Sequence, residues 1–330
     1  MLDNSRDIAL MANLIKTPIL DAIKTVTTSG DKLIGCISPF CSEEGIRSLF
    51  GGFRRTESYA YVIARWRIGE LLNGVGSVEI FPILQHCGIN LFIHRNLHAK
   101  LFLFSSGKAI CGSGNATTKG LGSAEVANIE LAVEVRPDLE DEIYLKKLRD
   151  QSVMVTPEIY EAYKNAIESA SKGSNPDFDD LVYDTSNSQF LTSSLPAIGS
   201  PEEFLKLYHI FSEGGQVDAE LRTRFINDLC NFNLDPELDR ENVLLKIGGA
   251  FQKNEFVKAL VKEIRESGPH RFGFVTNFIH TNCRDVPLPY RWEVKRVVQN
   301  LYNWLEYFFE DIKWKRPNIS QIIYSTHPPN

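Results

Sequence analysis

His98-Ala-Lys100-Leu-Phe-Leu-Phe-Ser105, then Gly112-Ser113-Gly114-Asn115, then Asn128-Ile129-Glu130, is the stretch on which the fold turns. Polar His98 and Lys100 alternate with apolar Ala99 and Leu101, the period of a strand, which puts both polar side chains on one face. A second short strand, Lys108 to Cys111, delivers Ser113 and Asn115 at its end. A third, Ile129 to Val135, begins beside Glu130. Three strand ends are expected to converge.

Those ends bring an imidazole, an ammonium, a hydroxyl, a carboxamide and a carboxylate, the groups needed to attack and cradle a phosphodiester. The spacing resembles the signature of the phospholipase D superfamily, which reads His-x-Lys, four residues, Asp, six residues, Gly-Ser-x-Asn, usually followed by Asn-x-Glu. His98, Lys100, Gly112, Ser113, Asn115, Asn128 and Glu130 stand at matching positions, and Ser105 stands where the family usually has Asp. At average residue usage, His, Lys, Gly, Ser and Asn at these offsets arise by chance in roughly one chain of this length in ten thousand. Wider similarity, over about residues 30 to 135, points to the single-motif nuclease branch of that superfamily, with its restriction-type enzymes and a role in prokaryotic antiviral defence.

The resemblance implies roles. His98 would be the nucleophile, forming a phosphohistidine that splits one hard displacement into two easier ones. Lys100 and the Asn115 carboxamide would hold the nonbridging oxygens, in place of the divalent metal other nucleases use, so no metal or other cofactor is expected. Ser113 would support that cradle. Glu130 would accept a hydrogen bond from the distal nitrogen of His98 and fix its tautomer. Arg65 and Arg67, at another strand end, are candidate phosphate contacts. His94, four residues before His98, is a weaker competitor with no motif counterpart.

A second imidazole is needed to protonate the leaving oxygen and later to activate water. None of His86, His94, His209, His270, His280 or His327 begins a second His-x-Lys. A twofold homodimer, placing two copies of His98 across one phosphate, supplies it.

Length and composition set the outer bounds. The chain has 330 residues, enough for two domains with cores, and its 43% hydrophobic and 24% charged content is that of a globular protein. No apolar run reaches the length of a membrane span, and Met1 to Asp7 lacks the character of a secretory signal, so a cytoplasmic protein with no membrane partner is expected. Six scattered cysteines without a Cys-x-x-Cys pair read as free thiols. The net charge of −6 is carried by residues 136 to 200, while the flanking parts are near balance.

Along the chain, an amphipathic helix is expected over Ile15 to Thr27, then strands at Lys32 to Ile37, Ser58 to Ala64 and Ile89 to Ile93, alternating with helices from Glu43 to Phe50, Ile68 to Asn73 and Val78 to Cys87. This is an α/β pattern, and the family fold it matches is a mixed sheet flanked by helices. That catalytic domain spans residues 1–170 and ends in two acidic helices, Pro137 to Gln151 and Pro157 to Ser171. Residues 171–200, rich in Ser, Asn and Asp, read as a linker. Asp177, Asp179, Asp180 and Asp184 within it raise the sharper idea of an acidic gate over a cationic site.

Residues 201–330 read as a mainly helical domain. Helices are expected at Pro201 to Glu213, Asp218 to Phe232, Asn254 to Glu266, Phe272 to Asn282 and Arg291 to Glu310. A basic hairpin, Ile312 to Tyr324, closes the chain. Val294, Val297, Val298, Leu301, Leu305 and Phe308 make one face of the last helix core, and Arg291, Lys295, Gln299 and Asn303 mark its other faces. Helices followed by a basic hairpin suggest a winged helix able to read duplex DNA or to bind a protein partner.

The sequence therefore points to a metal-independent DNA endonuclease acting as a homodimer. Two rivals stay open: a phospholipase D-type lipid hydrolase or phosphatidyltransferase, and a nucleic-acid-binding module with a silent site.

Overall fold

The computed structural model describes residues 14–51, 60–171, 190–213, 215, 217–234, 238–285, 291–317 and 320–326. The first unit runs β1 (Leu14–Lys16), α1 (Ile19–Thr28), β2 (Leu33–Ile37), α2 (Glu43–Phe50), β3 (Tyr61–Ala64), α3 (Ile68–Leu72), α4 (Ile80–Cys87) and β4 (Asn90–Ile93). It continues with β5 (Leu101–Phe104), β6 (Ala109–Gly112), α5 (Thr118–Leu121), β7 (Leu131–Val135), α6 (Leu139–Asp150), β8 (Val153–Met154) and α7 (Pro157–Ser171). The strands form one mixed sheet in the order β1-β7-β6-β5-β2-β3-β4-β8. β2, β3 and β4 are parallel and central, and every residue of β3, Tyr-Val-Ile-Ala, is buried, as continuous apolar runs covered on both faces require.

One face packs on α1, α2, α4 and α7 around Phe50, Phe81, Leu84 and Phe102; the other gathers Ile37, Ile63, Phe92 and Leu97 against Leu145 and Leu148 of α6. Local chemistry sets the helix starts. Ser42 accepts the Gly45 N–H at 3.1 Å ahead of Glu43 and Glu44, so cap and acids both meet the positive end of α2. Asp138 and Asp141 close a reciprocal capping box on α6.

The second unit opens with a 3-10 turn at Thr192–Ser194, followed by α8 (Pro201–Ser212), α9 (Ala219–Asn231), α10 (Arg240–Lys253), α11 (Glu255–Ser267), β9 (His270–Arg271), α12 (Phe272–Asn282), α13 (Arg291–Phe308), β10 (Ile312–Lys315) and β11 (Ile322–Ser325). Helix, strand, helix, helix and hairpin, with β11 between β10 and β9 in an antiparallel sheet, is the winged-helix order. Trp304 is its hub, with Phe232 at 5.1 Å, Phe251 at 5.5 Å, Phe308 at 5.9 Å and Phe204 at 6.3 Å between ring centroids. The two units meet where α6 lies on α9. Buried Lys146 donates to Asn231 Oδ1 at 2.9 Å, and Arg222 pairs with Glu142.

Several expectations are corrected. Ile15 lies in a strand rather than a helix, because Pro18 biases the residues before it away from the helical region and β1 finds β7 as a partner. The helix α10 was not expected, since Gly248-Gly249 interrupts its pattern; Gly248 is there because a Cβ would sit 2.8 Å from the Phe308 ring. The two-residue strands β8 and β9 are too short to show a period.

The expected linker is built structure from residue 190 onward. Thr192 bonds Asp285, while Leu195 and Ile198 join the second core. The buried Asp228 carboxylate accepts the Ala197 and Ile198 N–H groups, each at 2.8 Å; burial pushes its pKa up to about 7 against their pull. Asp177, Asp179, Asp180 and Asp184, and with them the acidic gate, lie outside the described residues.

Two of the polar residues marking the other faces of α13 have protein partners. Asn303 donates to Gly199 O at 2.9 Å and Gln299 is tied to Gln321 at 2.6 Å, while Lys295 is exposed; the Arg291 side chain lies outside the described residues. The cause is the segment 195–200 and α8 to α10, which pack where a groove-reading helix would be open. Trp66 and Trp304 are core, and all six cysteines are free thiols. Among the described residues no helix is long and apolar enough to cross a membrane.

Candidate active site

Register decides what meets at the sheet's end. Ile37 pairs with Leu101, Leu101 with Cys111, and Gly112 with Ala132, so Ser38, Lys100, Ser113 and Glu130 follow or precede neighbouring strands at one level. This is also the carboxyl end of the parallel strands β2, β3 and β4, where open α/β sheets bind ligands.

His98 and Lys100 lie in the extended run entering β5, and the Gly112 N–H reaches Lys100 O at 3.3 Å, carrying the ladder one residue past the strand. The two side chains share a face as the alternation implied: Lys100 Nζ is 3.5 Å from His98 Nδ1 and donates to His98 O at 2.7 Å. The imidazole is exposed. Burial lowers the pKa of the Lys100 ammonium, the Arg65 guanidinium lowers it further, and Glu130 pulls it back up, with a net position below the usual lysine range. Lys100 is thus electrostatically linked to both.

The Gly-Ser-Gly-Asn turn is built by close approach. A Cβ at Gly112 would stand 2.3 Å from Leu131 O, so only glycine lets β6 and β7 run together into the turn. Beyond it, Ser113 donates to Glu130 Oε2, and the Ser113 Oγ accepts the Leu131 N–H at 3.1 Å. Asn128 Nδ2 donates to the other Glu130 oxygen at 3.0 Å, and the Glu130 N–H is bound by Thr17 Oγ1 at 2.8 Å. Glu130 is 8% exposed with both oxygens engaged. Within the single chain, then, its partners are Ser113 and Asn128 rather than the His98 ring.

Asn115 is positioned by a residue the sequence did not single out. Fully buried Ser38, at the end of β2, accepts the Ala116 N–H at 2.9 Å, donates to Phe40 O at 2.8 Å and lies 3.5 Å from Asn115 Oδ1. Its only sequence signal is a small polar residue closing an apolar strand before Pro39.

Arg65 reaches the same end but is occupied. It binds Glu70 through two nitrogens, at 2.7 and 3.0 Å, donates to Leu97 O at 2.9 Å, and lies over the Phe40 ring. Arg67 donates to Arg95 O at 2.9 Å and is 39% exposed. His94 takes the Asn96 N–H at 3.3 Å in the turn before the motif. Ser105 is elsewhere: it leaves the opposite end of β5, where its hydroxyl donates to Asp31. A cavity of about 110 Å³ also opens at that far end, lined by Ser105, Lys108, Glu142 and Arg222, and belongs to the seam between the units. Among the described residues no group of three or more His, Cys, Asp or Glu side chains is placed to hold a metal ion.

No protein family model matches the chain, and no curated protein matches it. Among solved structures it is similar to a phospholipase D family member, Nuc from Salmonella typhimurium, at 18% identity and a TM-score of 0.33, over 44% of this chain and 97% of that one.

Proposed function

We propose that this chain is a phosphodiesterase that cuts DNA through a covalent phosphohistidine at His98, in an active site completed by a second copy of the chain. The observation that carries the reading is the 3.5 Å approach of Lys100 Nζ to the exposed His98 ring, at the level where Ser113 follows β6 and Glu130 precedes β7. An ammonium beside an imidazole gives the attacked phosphate a fixed positive charge next to its nucleophile.

In the first step a His98 ring nitrogen bonds phosphorus, the bond to the leaving oxygen breaks, and that oxygen takes a proton from the second imidazole. In the second step water bonds phosphorus, gives its proton to the same imidazole, and the nitrogen–phosphorus bond breaks. Lys100 and Asn115 hold the nonbridging oxygens, with Ser38 and Ser113 fixing their surroundings, so the chain's own cation does what a divalent metal does elsewhere. The roles require one imidazole to enter the reaction neutral, as nucleophile, and the other protonated, as acid.

The second His98 comes from a twofold homodimer. In support, Leu14 and Leu131 share one face at the β1–β7 edge and are 55% and 47% exposed, and Ile129, next to Glu130 in sequence, is 95% exposed. Large side chains grouped in water beside a polar site mark an interaction surface.

The test is plasmid cleavage in excess chelator by wild type and His98→Ala, with mass measured by light scattering. Cleavage by the dimeric wild type and none by the variant is expected, with an alkaline denaturing quench trapping the cleaved strand on His98 through its phosphate. Equal activity of the two proteins would sink the reading. Release of headgroups from phospholipid vesicles without plasmid nicking would replace DNA by lipid as substrate.

A further inference from the structure

The outer face of the three-stranded sheet in the second unit is assembled by register. Lys313 pairs with Tyr324, Lys315 with Ile322, and Ile322 with Arg271, so these five side chains lie on one face, while Ile312, Trp314, Ile323 and His270 lie on the other. Ile312 and Ile323 are fully buried in the second core, which makes the Lys313 face the solvent side. Lys315 and Arg271 are exposed, and Arg316 extends the series into the turn. Among the described residues none of these four cations forms an ion pair with a carboxylate. Lys315 Nζ instead rests 5.1 Å from the centre of the Tyr324 ring.

We infer that this face docks the sugar-phosphate backbone of duplex DNA, and that it, rather than α13, is how the second unit holds substrate. Two observations converge. The helix that would enter a groove in this topology is closed off, with Asn300 bonded to Pro196 O and Ala197 O, Asn303 to Gly199 O and Trp304 Nε1 to Ile198 O. Meanwhile a chain of net charge −6 sets three cations on one small sheet and a fourth beside it, with no carboxylate partner among the described residues. Lys313 and Lys315, two strand positions and so about 7 Å apart, repel each other unless an anion lies across them. A duplex offers one negative charge per about 1.7 Å of its axis, and backbone contact of this kind holds and orients it without reading sequence.

The inference rests on the DNA-cutting reading for the identity of the polymer, and its test separates the two. Duplex binding is measured by fluorescence anisotropy in chelator on His98→Ala chains. One carries Lys313→Glu, Lys315→Glu and Arg271→Glu, a second carries the same three positions as Gln, and a control carries Lys246→Glu, Lys258→Glu and Lys262→Glu. The salt slope should fall by about 3 in both platform variants, since each lost phosphate contact removes about 0.9. Affinity near physiological salt should fall at least tenfold, with little change in the control. In the active background, plasmid cleavage should fall while hydrolysis of a small aryl phosphodiester is kept. Equal weakening by control and platform, unchanged binding by the platform variants, or tighter binding to duplex RNA than to DNA would each overturn the surface. Loss of binding in the platform variants from a chain that cuts nothing would keep the surface and sink only the cutting.

Discussion

Ser105 donates its hydroxyl hydrogen to Asp31 at 2.6 Å, across the end of β2 and β5 that lies away from His98. Ser105, the one departure from the motif that the sequence resembles, therefore sits a full strand from His98, and a carboxylate stands beside it, supplied by the segment leading into β2. Asp31 also accepts the Ser106 N–H at 2.9 Å, the Lys32 N–H at 2.9 Å and the Ser106 hydroxyl. Burial pushes its carboxyl up, but the Ser105 and Ser106 hydroxyls and these N–H groups outweigh it and hold the pKa below the usual carboxylate range.

Replacing Asp31 by Ala should therefore act on the fold and not on the reaction. Several donors lose one acceptor, so urea unfolding should report a loss of about 1–3 kcal/mol. The catalytic constant of the protein that remains folded should be unchanged. A large fall in that constant at unaltered stability would mean the far end of β5 communicates with His98.

Arg65 gives a prediction with two readouts. Its pairing with Glu70 is 10% exposed on the arginine side, so Glu70→Ala leaves an uncompensated guanidinium at a cost of roughly 3 kcal/mol. Arg65→Met removes a positive charge that lowers the Lys100 pKa, so the alkaline limb of the cleavage profile, where Lys100 loses its proton, should move to higher pH. A raised KM with an unmoved limb would instead make Arg65 a direct phosphate contact.

How far the sequence carried these conclusions follows from range. His98, Lys100, Gly112, Ser113, Asn115 and Glu130 were legible because their chemistry recurs at short fixed offsets, and period 2 put His98 and Lys100 on one face. Ser38 was not, because its place opposite Lys100 depends on the pairing of β2 with β5, far apart in the chain. The same limit hid the Glu130 partners, which follow from how β6 and β7 turn together at Gly112. In the second unit the apolar stripe of α13 correctly named a core face. It could not show that Asn300 and Asn303 serve the carbonyls of residues 196 to 199, since a polar residue on a helix looks the same whether it meets water or a buried backbone.

The dimer surface is tested at Ile129, which is 95% exposed in the single chain and next to Glu130 in sequence. Ile129→Asp should leave each subunit folded, with an unchanged far-UV circular dichroism spectrum, because nothing in the core is touched. The mass in solution should halve, and cleavage should fall steeply with dilution as copies of His98 part. A variant that stays dimeric and active would put the twofold contact on another face.

Acid should loosen the second unit at Asp311. Its carboxylate takes two bonds from Arg265, at 2.7 and 2.8 Å, and one from Ser325 at 3.1 Å. The Arg265 hydrogen bonds, against a smaller opposing effect of burial, bring the Asp311 pKa down to about 2. A depressed carboxylate stabilises the fold while it is ionised, so the contribution is complete above the ordinary aspartate pKa and is lost as pH falls from about 4 to about 2. Arg265 is 47% exposed, so solvent screening limits the effect to about 1–2 kcal/mol. Asp311→Asn should be less stable than wild type at neutral pH, and the gap should close by about pH 2 in urea titrations taken at several pH values. A gap that persists unchanged through that window would mean that Asp311 acts through packing at the α11–β11 junction rather than through its charge.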